Sequence, residues 1–160
     1  MMLEALATNN SSAKKLPYEI REKEIQVFPD YLNSHQDTSL PTLKNQLELD
    51  YRPLIRNLVQ EMIGDTSLAI LAKSFHLSLI SSFLEIAQII RKNTGIQTVA
   101  LSGGSWQNQI LSQKMTKELK NQGFTVYTNE LVPVNDGGIS LGQAYIAATS
   151  CTYDLGSRNR

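Results

Sequence analysis

Several signals that usually reveal the class of a protein are missing from this sequence of 160 residues. Its single cysteine, Cys151, excludes an internal disulfide framework and a zinc-finger ligand set. Fifteen basic and fifteen acidic residues cancel, so the chain offers neither an electrostatic footprint for nucleic acid nor a polybasic patch for a membrane. A secretory leader and an uninterrupted run of about 20 apolar residues are also missing. We therefore expect a soluble, cytoplasmic protein with no nucleic-acid or membrane partner.

Two Gly-Gly pairs, Gly103-Gly104 and Gly137-Gly138, stand out in the last third of the chain. Each follows a short apolar segment and precedes a predicted helix, but neither has the GxGxxG or GxxxxGK[ST] spacing of the common phosphate-binding motifs. Glycines at the end of a strand leave backbone N–H groups unobstructed, and the N-terminus of the next helix favours an anion. The alternative is a tight strand-to-helix turn that binds nothing.

The second half of the chain alternates strands and helices, which is typical of an α/β layer with parallel strands. The predicted elements are a buried strand at Thr98–Ser102, a helix at Trp106–Gln122, a strand at Thr125–Tyr127 and a small-residue helix at Gly138–Thr149 that packs against the sheet. The helix at Trp106–Gln122 carries an apolar stripe of Leu111, Met115 and Leu119, spaced by four residues. Residues 151–160 are polar and are predicted to form a disordered tail. At this length we expect one domain or part of one, formed by residues 1–150.

The first half is predicted to be mainly helical. The predicted elements are a helix at Met1–Ala7, a hairpin of strands Pro17–Ile20 and Glu24–Phe28, a loop at Pro29–Lys44, a core-facing helix at Asp50–Ile63 and a long helix that begins after Asp65-Thr66-Ser67 and ends near Gly95. The long helix carries one apolar stripe, formed by Leu68, Leu71, Ala72, Phe75, Leu79, Phe83, Ile86 and Ile90. His76 lies beside this stripe, and we favour a hydrogen-bonded, partly buried histidine over a site residue.

The segments SGGSWQN and VPVNDGGISLGQ together resemble the C-terminal end of the HypF carbamoyltransferases of NiFe-hydrogenase maturation and, more distantly, of TsaD. The resemblance runs from about Leu3 to Thr149, with both motifs in the last third. It implies an incomplete C-terminal lobe of the actin-like (ASKHA) fold, with a short, mostly parallel sheet flanked by helices. Because ligands of such sheets gather at the carboxyl ends of the strands, both glycine turns would lie at one site.

The resemblance also implies roles for single residues. Gly103, Gly104, Asn108 and Gly137 match positions that approach an ATP-type nucleotide, and Asp136 matches a carboxylate that binds a divalent metal, zinc or iron. From the residues alone, we favour Asp136 as an N-cap for the last helix over a metal ligand, and the alternative for Asn108 is an ordinary exposed helix residue.

This chain departs from the family pattern. The family binds its metal with a His-x-x-x-His pair, whereas His35 and His76 are far apart here, so we assign no catalytic residue. The resemblance implies carbamoyl transfer to a HypE-like partner, with a missing first lobe supplied by another chain. We expect the 160 residues alone to be inactive and to self-associate through uncovered apolar surface. The alternative is a non-catalytic module that binds a nucleotide or a partner. A relative of the sugar kinases is disfavoured, because no aspartate in this sequence has the setting of the catalytic aspartate of those enzymes.

Overall fold

The structure, a computed structural model, describes residues 12–24 and 45–157. In chain order its elements are β1 (Glu19–Glu24), β2 (Asn45–Asp50), α1 (Arg52–Ile63), α2 (Leu68–Thr94), β3 (Thr98–Leu101), α3 (Gln109–Asn121), β4 (Thr125–Thr128) and α4 (Ile139–Ser157). Short 3₁₀ turns at Gly104–Gln107 and Asp136–Gly138 precede α3 and α4. The α/β class and the short parallel sheet agree with the sequence prediction. The predicted helix Met1–Ala7 and loop Pro29–Lys44 lie outside the described residues.

Local signals fix the ends of the two central helices where they were predicted. Ser67 caps α2, because its Oγ accepts a hydrogen bond of 3.4 Å from the backbone N–H of Ile70. At the other end Gly95 takes a left-handed conformation with φ of 76°. Gly64 directly follows Ile63, the last residue of α1, so this helix ends at the residue that the sequence predicted. Capping and glycine positions therefore predict these boundaries well.

The two sheets each contain two strands, and they differ in how well the sequence predicted them. The strands β3 and β4 pair in parallel, from Thr98 opposite Thr125 to Leu101 opposite Thr128, as predicted. The predicted hairpin is wrong, because the expected turn between Ile20 and Glu24 lies inside one continuous strand, β1. This strand pairs antiparallel with β2. The strand β2 is not among the predicted elements, although Leu47 and Leu49 alternate with polar residues there.

The main core lies between α2, α3 and the parallel sheet. Its buried members are Ile80, Leu101, Met115, Leu119 and Phe124. The predicted stripe of α3 is confirmed, since Met115 and Leu119 are almost fully buried. The predicted burial of β3 is wrong except at Leu101, because the strand has a neighbour on one side only among the described residues.

The apolar stripes of α1 and α2 are covered less than predicted. Leu54 is fully buried in α1, whereas Ile55, Val59 and Met62 are about half exposed. On α2, Leu68 and Phe83 are partly exposed, and a row of serines is buried instead. These are Ser74, Ser78 and Ser82, spaced by four residues. A polar row is tolerated in the interior because each hydroxyl has a hydrogen-bond partner in the chain before α1.

The last helix does not pack against the sheet as predicted. Its apolar side chains remain exposed; these are Ile139, Leu141, Tyr145 and Ile146. The helix also runs on to Ser157, through most of the segment predicted as a polar tail. In the described structure, α4 contacts mainly the 3₁₀ turn that precedes it.

One helix in the described part of the chain, α2, is long and apolar enough to cross a membrane by length and composition alone. Seven of its residues are buried, and it packs against both α1 and α3. Those contacts are typical of the core helix of a globular fold.

Candidate functional site

The structure brings the two glycine turns together. The backbone N–H of Gly103 donates a hydrogen bond of 2.6 Å to the carbonyl oxygen of Val134, which lies just before the second turn. Gly103 and Gly104 follow the end of β3, and the segment that contains Val134 follows β4. The shared edge of the parallel sheet therefore places both turns at one site, as the sequence analysis predicted.

The first turn has room for a ligand at Gly104. Gly103 has φ of 103°, a conformation that side chains with a Cβ rarely adopt. A Cβ built on Gly104 would meet no atom within 4 Å, so open space adjoins the backbone there. The first N–H groups of the 3₁₀ turn, at Gly104 and Ser105, have no acceptor inside it. The turn thus has two backbone donors without an acceptor inside it, next to open space at Gly104.

The second turn is held by a residue that the sequence analysis passed over. Asn135 caps it, because its Oδ1 accepts a hydrogen bond of 3.0 Å from the N–H of Gly137. The N-cap role considered for Asp136 is therefore wrong, and its side chain is exposed. Gly138 is the more constrained glycine, since a Cβ there would lie 2.8 Å from the carbonyl oxygen of Pro133.

Asn108 is fixed by two hydrogen bonds of its side chain. Its Oδ1 accepts a bond of 3.0 Å from the N–H of Leu111 and caps α3. Its Nδ2 lies 2.9 Å from the Nε2 of His76, which is buried in α2. The expectation that Asn108 is merely an exposed helix residue is therefore wrong. The expectation of a buried, hydrogen-bonded His76 agrees with the structure.

A cleft of about 610 Å³ adjoins the first turn at the carboxyl ends of both parallel strands. Its lining includes Leu101, Trp106, Thr116, Lys117, Lys120 and Val134. The volume is typical of small-molecule sites. The two lysines give this face a positive charge, which favours an anionic ligand.

The described residues do not fit the metal that the family resemblance implies. Residues 12–24 and 45–157 contain no group of three or more His, Cys, Asp or Glu side chains that could hold a metal ion. Asp136 is an isolated exposed carboxylate, and a stable divalent site needs several ligands. We derive no chemical step through a metal.

Comparison with known proteins identifies the family. The family model described as "Carbamoyltransferase, Kae1-like Domain, second subdomain" matches residues 1–143. The chain belongs to this carbamoyltransferase family. It is 35% identical over 120 residues to the carbamoyltransferase HypF of Synechocystis, an alignment that covers 75% of this chain and 15% of the relative. It is also 36% identical over 99 residues to HypF2 of Cupriavidus necator, which covers 62% of this chain and 12% of that relative.

Solved structures of HypF have the same fold. A crystal structure of full-length HypF in the phosphate- and nucleotide-bound form superposes with a TM-score of 0.72 at 32% identity, over 91% of this chain and 16% of that one. The crystal structure of HypF from T. kodakarensis gives 0.61 at 23% identity, which supports the fold alone. The chain therefore corresponds to a HypF C-terminal segment and spans about one seventh of the length of its relatives.

The predicted site residues are thus partly assembled. Gly103, Gly104 and Asn108 lie along one connected turn, and the bond from Gly103 to Val134 links it to the segment with Asp136 and Gly137. Sequence reasoning missed the roles of Asn135 and Gly138 within the same motif. An Asn directly before Asp-Gly-Gly is a capping signal that could have been recognised.

Proposed function

We propose that the two glycine turns bind ATP or a related nucleotide as part of a HypF-type carbamoyltransferase. The observation that carries the proposal is the hydrogen bond between Gly103 and Val134, which joins the turns at the carboxyl edge of the sheet. The open space at Gly104 and the cleft with Lys117 and Lys120 are compatible with a phosphate-bearing ligand. A relative that is 32% identical was crystallised in a phosphate- and nucleotide-bound form, which supports the same ligand class here.

The reaction proposed is the one implied by the family resemblance. Carbamoyl phosphate is hydrolysed to carbamate and phosphate, carbamate attacks the α-phosphorus of ATP to give a carbamoyl-adenylate and pyrophosphate, and the thiol of the C-terminal cysteine of a HypE-like protein then takes the carbamoyl group with release of AMP. The carbamoyl group is destined for the cyanide ligands of a NiFe-hydrogenase. In this scheme the described residues bind and orient the nucleotide through backbone N–H groups of the first turn. The reaction takes place in the cytoplasm.

We infer that the 160 residues are inactive alone and act with a polypeptide that supplies the rest of the carbamoyltransferase fold. The aligned segments cover only 15% of the Synechocystis HypF and 12% of HypF2 of Cupriavidus necator, so most of each of those proteins has no counterpart in these 160 residues. The described residues also provide no metal-ligating group of three. Detection of carbamoyl-phosphate-dependent AMP formation by the purified chain would refute this inference.

The second candidate is a binding module that holds a nucleotide or partner without catalysis. The absence of a metal-ligating group in residues 12–24 and 45–157 favours it. Under this alternative, addition of the missing lobe from a longer HypF leaves the rate of carbamoyl transfer unchanged. Under the split-enzyme proposal, the same addition restores it.

The nucleotide proposal is tested by isothermal titration of ATP with a divalent metal into the purified chain. Gly104→Ala is the most informative variant, because its Cβ meets no atom within 4 Å and its φ is not positive. The fold should therefore tolerate it while the new methyl group obstructs a ligand at the turn. We expect ATP binding at least tenfold weaker.

Two further variants define the result. Gly142→Ala adds the same methyl group in open space, one helical turn into α4 and outside both glycine pairs, and should leave ATP binding unchanged. Asp136→Ala removes an exposed carboxylate that cannot hold a divalent metal by itself, so weaker metal-dependent binding would show that Asp136 and the phosphates of the nucleotide hold the metal together. A folded chain that does not bind ATP contradicts the proposal and leaves the glycine turns structural.

A further inference from the structure

His76 connects the central helix to the candidate site. The histidine is only 3% exposed, and both ring nitrogens have partners. Its Nδ1 lies 2.7 Å from the carbonyl oxygen of Ala72, one turn back on α2, and its Nε2 lies 2.9 Å from Nδ2 of Asn108. Asn108 is 32 residues further along the chain, where the 3₁₀ turn of Gly104–Gln107 joins α3. The contact with Asn108 therefore links the core to the turn.

The partners determine the protonation of the ring. A carbonyl oxygen only accepts, so the proton is on Nδ1 and is donated to Ala72. The Oδ1 of Asn108 is used by the N–H of Leu111, which leaves the amide nitrogen of Asn108 facing His76. That nitrogen is a donor, and Nε2 must therefore be an unprotonated acceptor. The arrangement requires the neutral histidine with its proton on Nδ1.

Backbone hydrogen bonds continue from Asn108 through the first turn. The N–H of Asn108 donates to Ser105 at 3.2 Å, and the N–H of Trp106 donates to Gly103 at 3.0 Å. Gly103 in turn donates to Val134 beside the second turn. These bonds connect Asn108 with Ser105 and Trp106 with Gly103, and Gly104 lies inside the segment that they span.

We propose that His76 is a positioning residue for the ligand-binding turn and acts through Asn108. The neutral ring holds the Asn108 amide so that its oxygen caps α3 and the turn between β3 and α3 is fixed before the ligand binds. Preorganisation of this kind reduces the ordering that binding would otherwise require. The proposal rests on the proposed nucleotide function, but its geometry is tested separately below. His76 itself makes no contact with the nucleotide.

Two substitutions separate the two hydrogen bonds of the ring. His76→Asn places an amide near the position of Nδ1, so it can still donate to Ala72 but does not reach Asn108. His76→Gln extends one bond further and can present its Oε1 as an acceptor to Asn108. We expect ATP to bind five- to tenfold more weakly to His76→Asn, about the effect of one hydrogen bond, and within about twofold of the wild type to His76→Gln.

A matched control removes a different buried hydrogen bond from the same helix. Ser82→Ala loses the bond of 2.8 Å to the hydroxyl of Tyr51, which precedes α1 and makes no hydrogen bond to Asn108, and should leave ATP affinity unchanged after correction for the unfolded fraction. If Ser82→Ala weakens ATP binding as much as His76→Asn does, the effect is general destabilisation and the proposal is wrong. Equal losses in His76→Gln and His76→Asn would also overturn it.

Nitrogen-15 NMR of the imidazoles tests the geometry without a nucleotide. The chain has only two histidines, so the spectrum of the His76→Asn variant assigns the signals of the wild type. We expect a neutral ring with its proton on Nδ1 at pH 7, and a proton on Nε2 would overturn the proposal. In Asn108→Asp, the partner atom becomes an acceptor, and His76 should gain a proton on Nε2.

The two proposals fail in different ways. If the wild type does not bind ATP, the nucleotide function is wrong, and amide hydrogen exchange at Gly103 and Trp106, whose N–H groups are hydrogen-bonded, then decides the role of His76. Faster exchange there in His76→Asn than in Ser82→Ala supports positioning. Unchanged exchange in both variants overturns it.

Discussion

The backbone N–H of Leu16 donates a hydrogen bond of 2.7 Å to the hydroxyl of Ser78, 62 residues further along the chain. The N–H of Lys14 donates to Ser74 at 3.1 Å in the same way, and the hydroxyl of Tyr51 is 2.8 Å from that of Ser82. The buried serines of α2 therefore bind an extended segment before β1 and the residue before α1. The row specifies where these parts of the chain attach to the central helix.

Loss of the Ser78 hydroxyl should destabilise the fold. In Ser78→Ala the N–H of Leu16 loses its only described hydrogen-bond partner and stays buried without an acceptor. We therefore expect the free energy of unfolding to fall by about 1–3 kcal/mol. Urea denaturation measures the change. Ser81→Ala, on the same helix but without a described hydrogen bond of its side chain, should change stability by less than about 0.5 kcal/mol. Equal effects would show that the bond contributes nothing specific.

The second turn should not accept a side chain at Gly138. A Cβ there would lie 2.8 Å from the carbonyl oxygen of Pro133, a backbone atom that can move only with the turn. We expect Gly138→Ala to lower stability by about 1–3 kcal/mol, as overpacked sites do. Gly142→Ala, four residues on in α4, has open space and should instead stabilise the helix by about 0.4–1 kcal/mol. Opposite signs in thermal or urea unfolding support this; a stabilised Gly138→Ala variant contradicts it.

Asp50 should make stability depend on pH on the acid side. Hydrogen bonds from Arg52, with a further ion pair to Arg21, hold the pKa of the Asp50 carboxyl well below its ordinary value. A carboxyl whose pKa is lower in the folded state stabilises the fold above its unfolded pKa. That contribution is lost as the pH falls below about 4 toward the folded pKa.

The measurement is urea unfolding as a function of pH. Asp50→Asn and Arg52→Gln should both flatten the decline of stability between about pH 4 and pH 2. Arg56→Gln removes the same charge one turn further along α1, makes no contact with Asp50 and should keep the wild-type slope. A wild-type slope in Asp50→Asn would show that another carboxyl causes the decline.

The sequence predicted the parts of the fold that depend on neighbouring residues. The caps at Ser67 and Gly95 and the spacing of Met115 and Leu119 act within one or two helical turns, so they can be recognised without the tertiary structure. The parallel pairing of β3 and β4 followed from the strand-helix-strand order.

Features that depend on distant partners could not be predicted in this way. The strand β2 pairs with β1 across residues 25–44, and its short alternation of Leu47 and Leu49 is a weak signal alone. The burial of Ser78 depends on Leu16, which hydropathy cannot show because serine is ordinarily exposed. In the candidate site, too, the local features could be predicted and the contact between distant residues could not. Its glycines were recognised, whereas the link from His76 to Asn108 spans two helices.

The exposed apolar residues of α4 should cause the purified chain to self-associate. Ile139, Leu141, Tyr145 and Ile146 are all more than half exposed, and they lie on more than one face of the helix. A helix that is apolar on several faces is normally covered by protein, and water contact with this area favours association between copies. Sedimentation velocity between low and high micromolar concentrations should show a growing oligomer fraction. A Tyr145→Ser, Ile146→Ser variant should reduce that fraction, whereas Thr128→Ser, a mild change on an exposed strand residue, should not. If the wild type remains a monomer throughout, these side chains are covered within the chain itself.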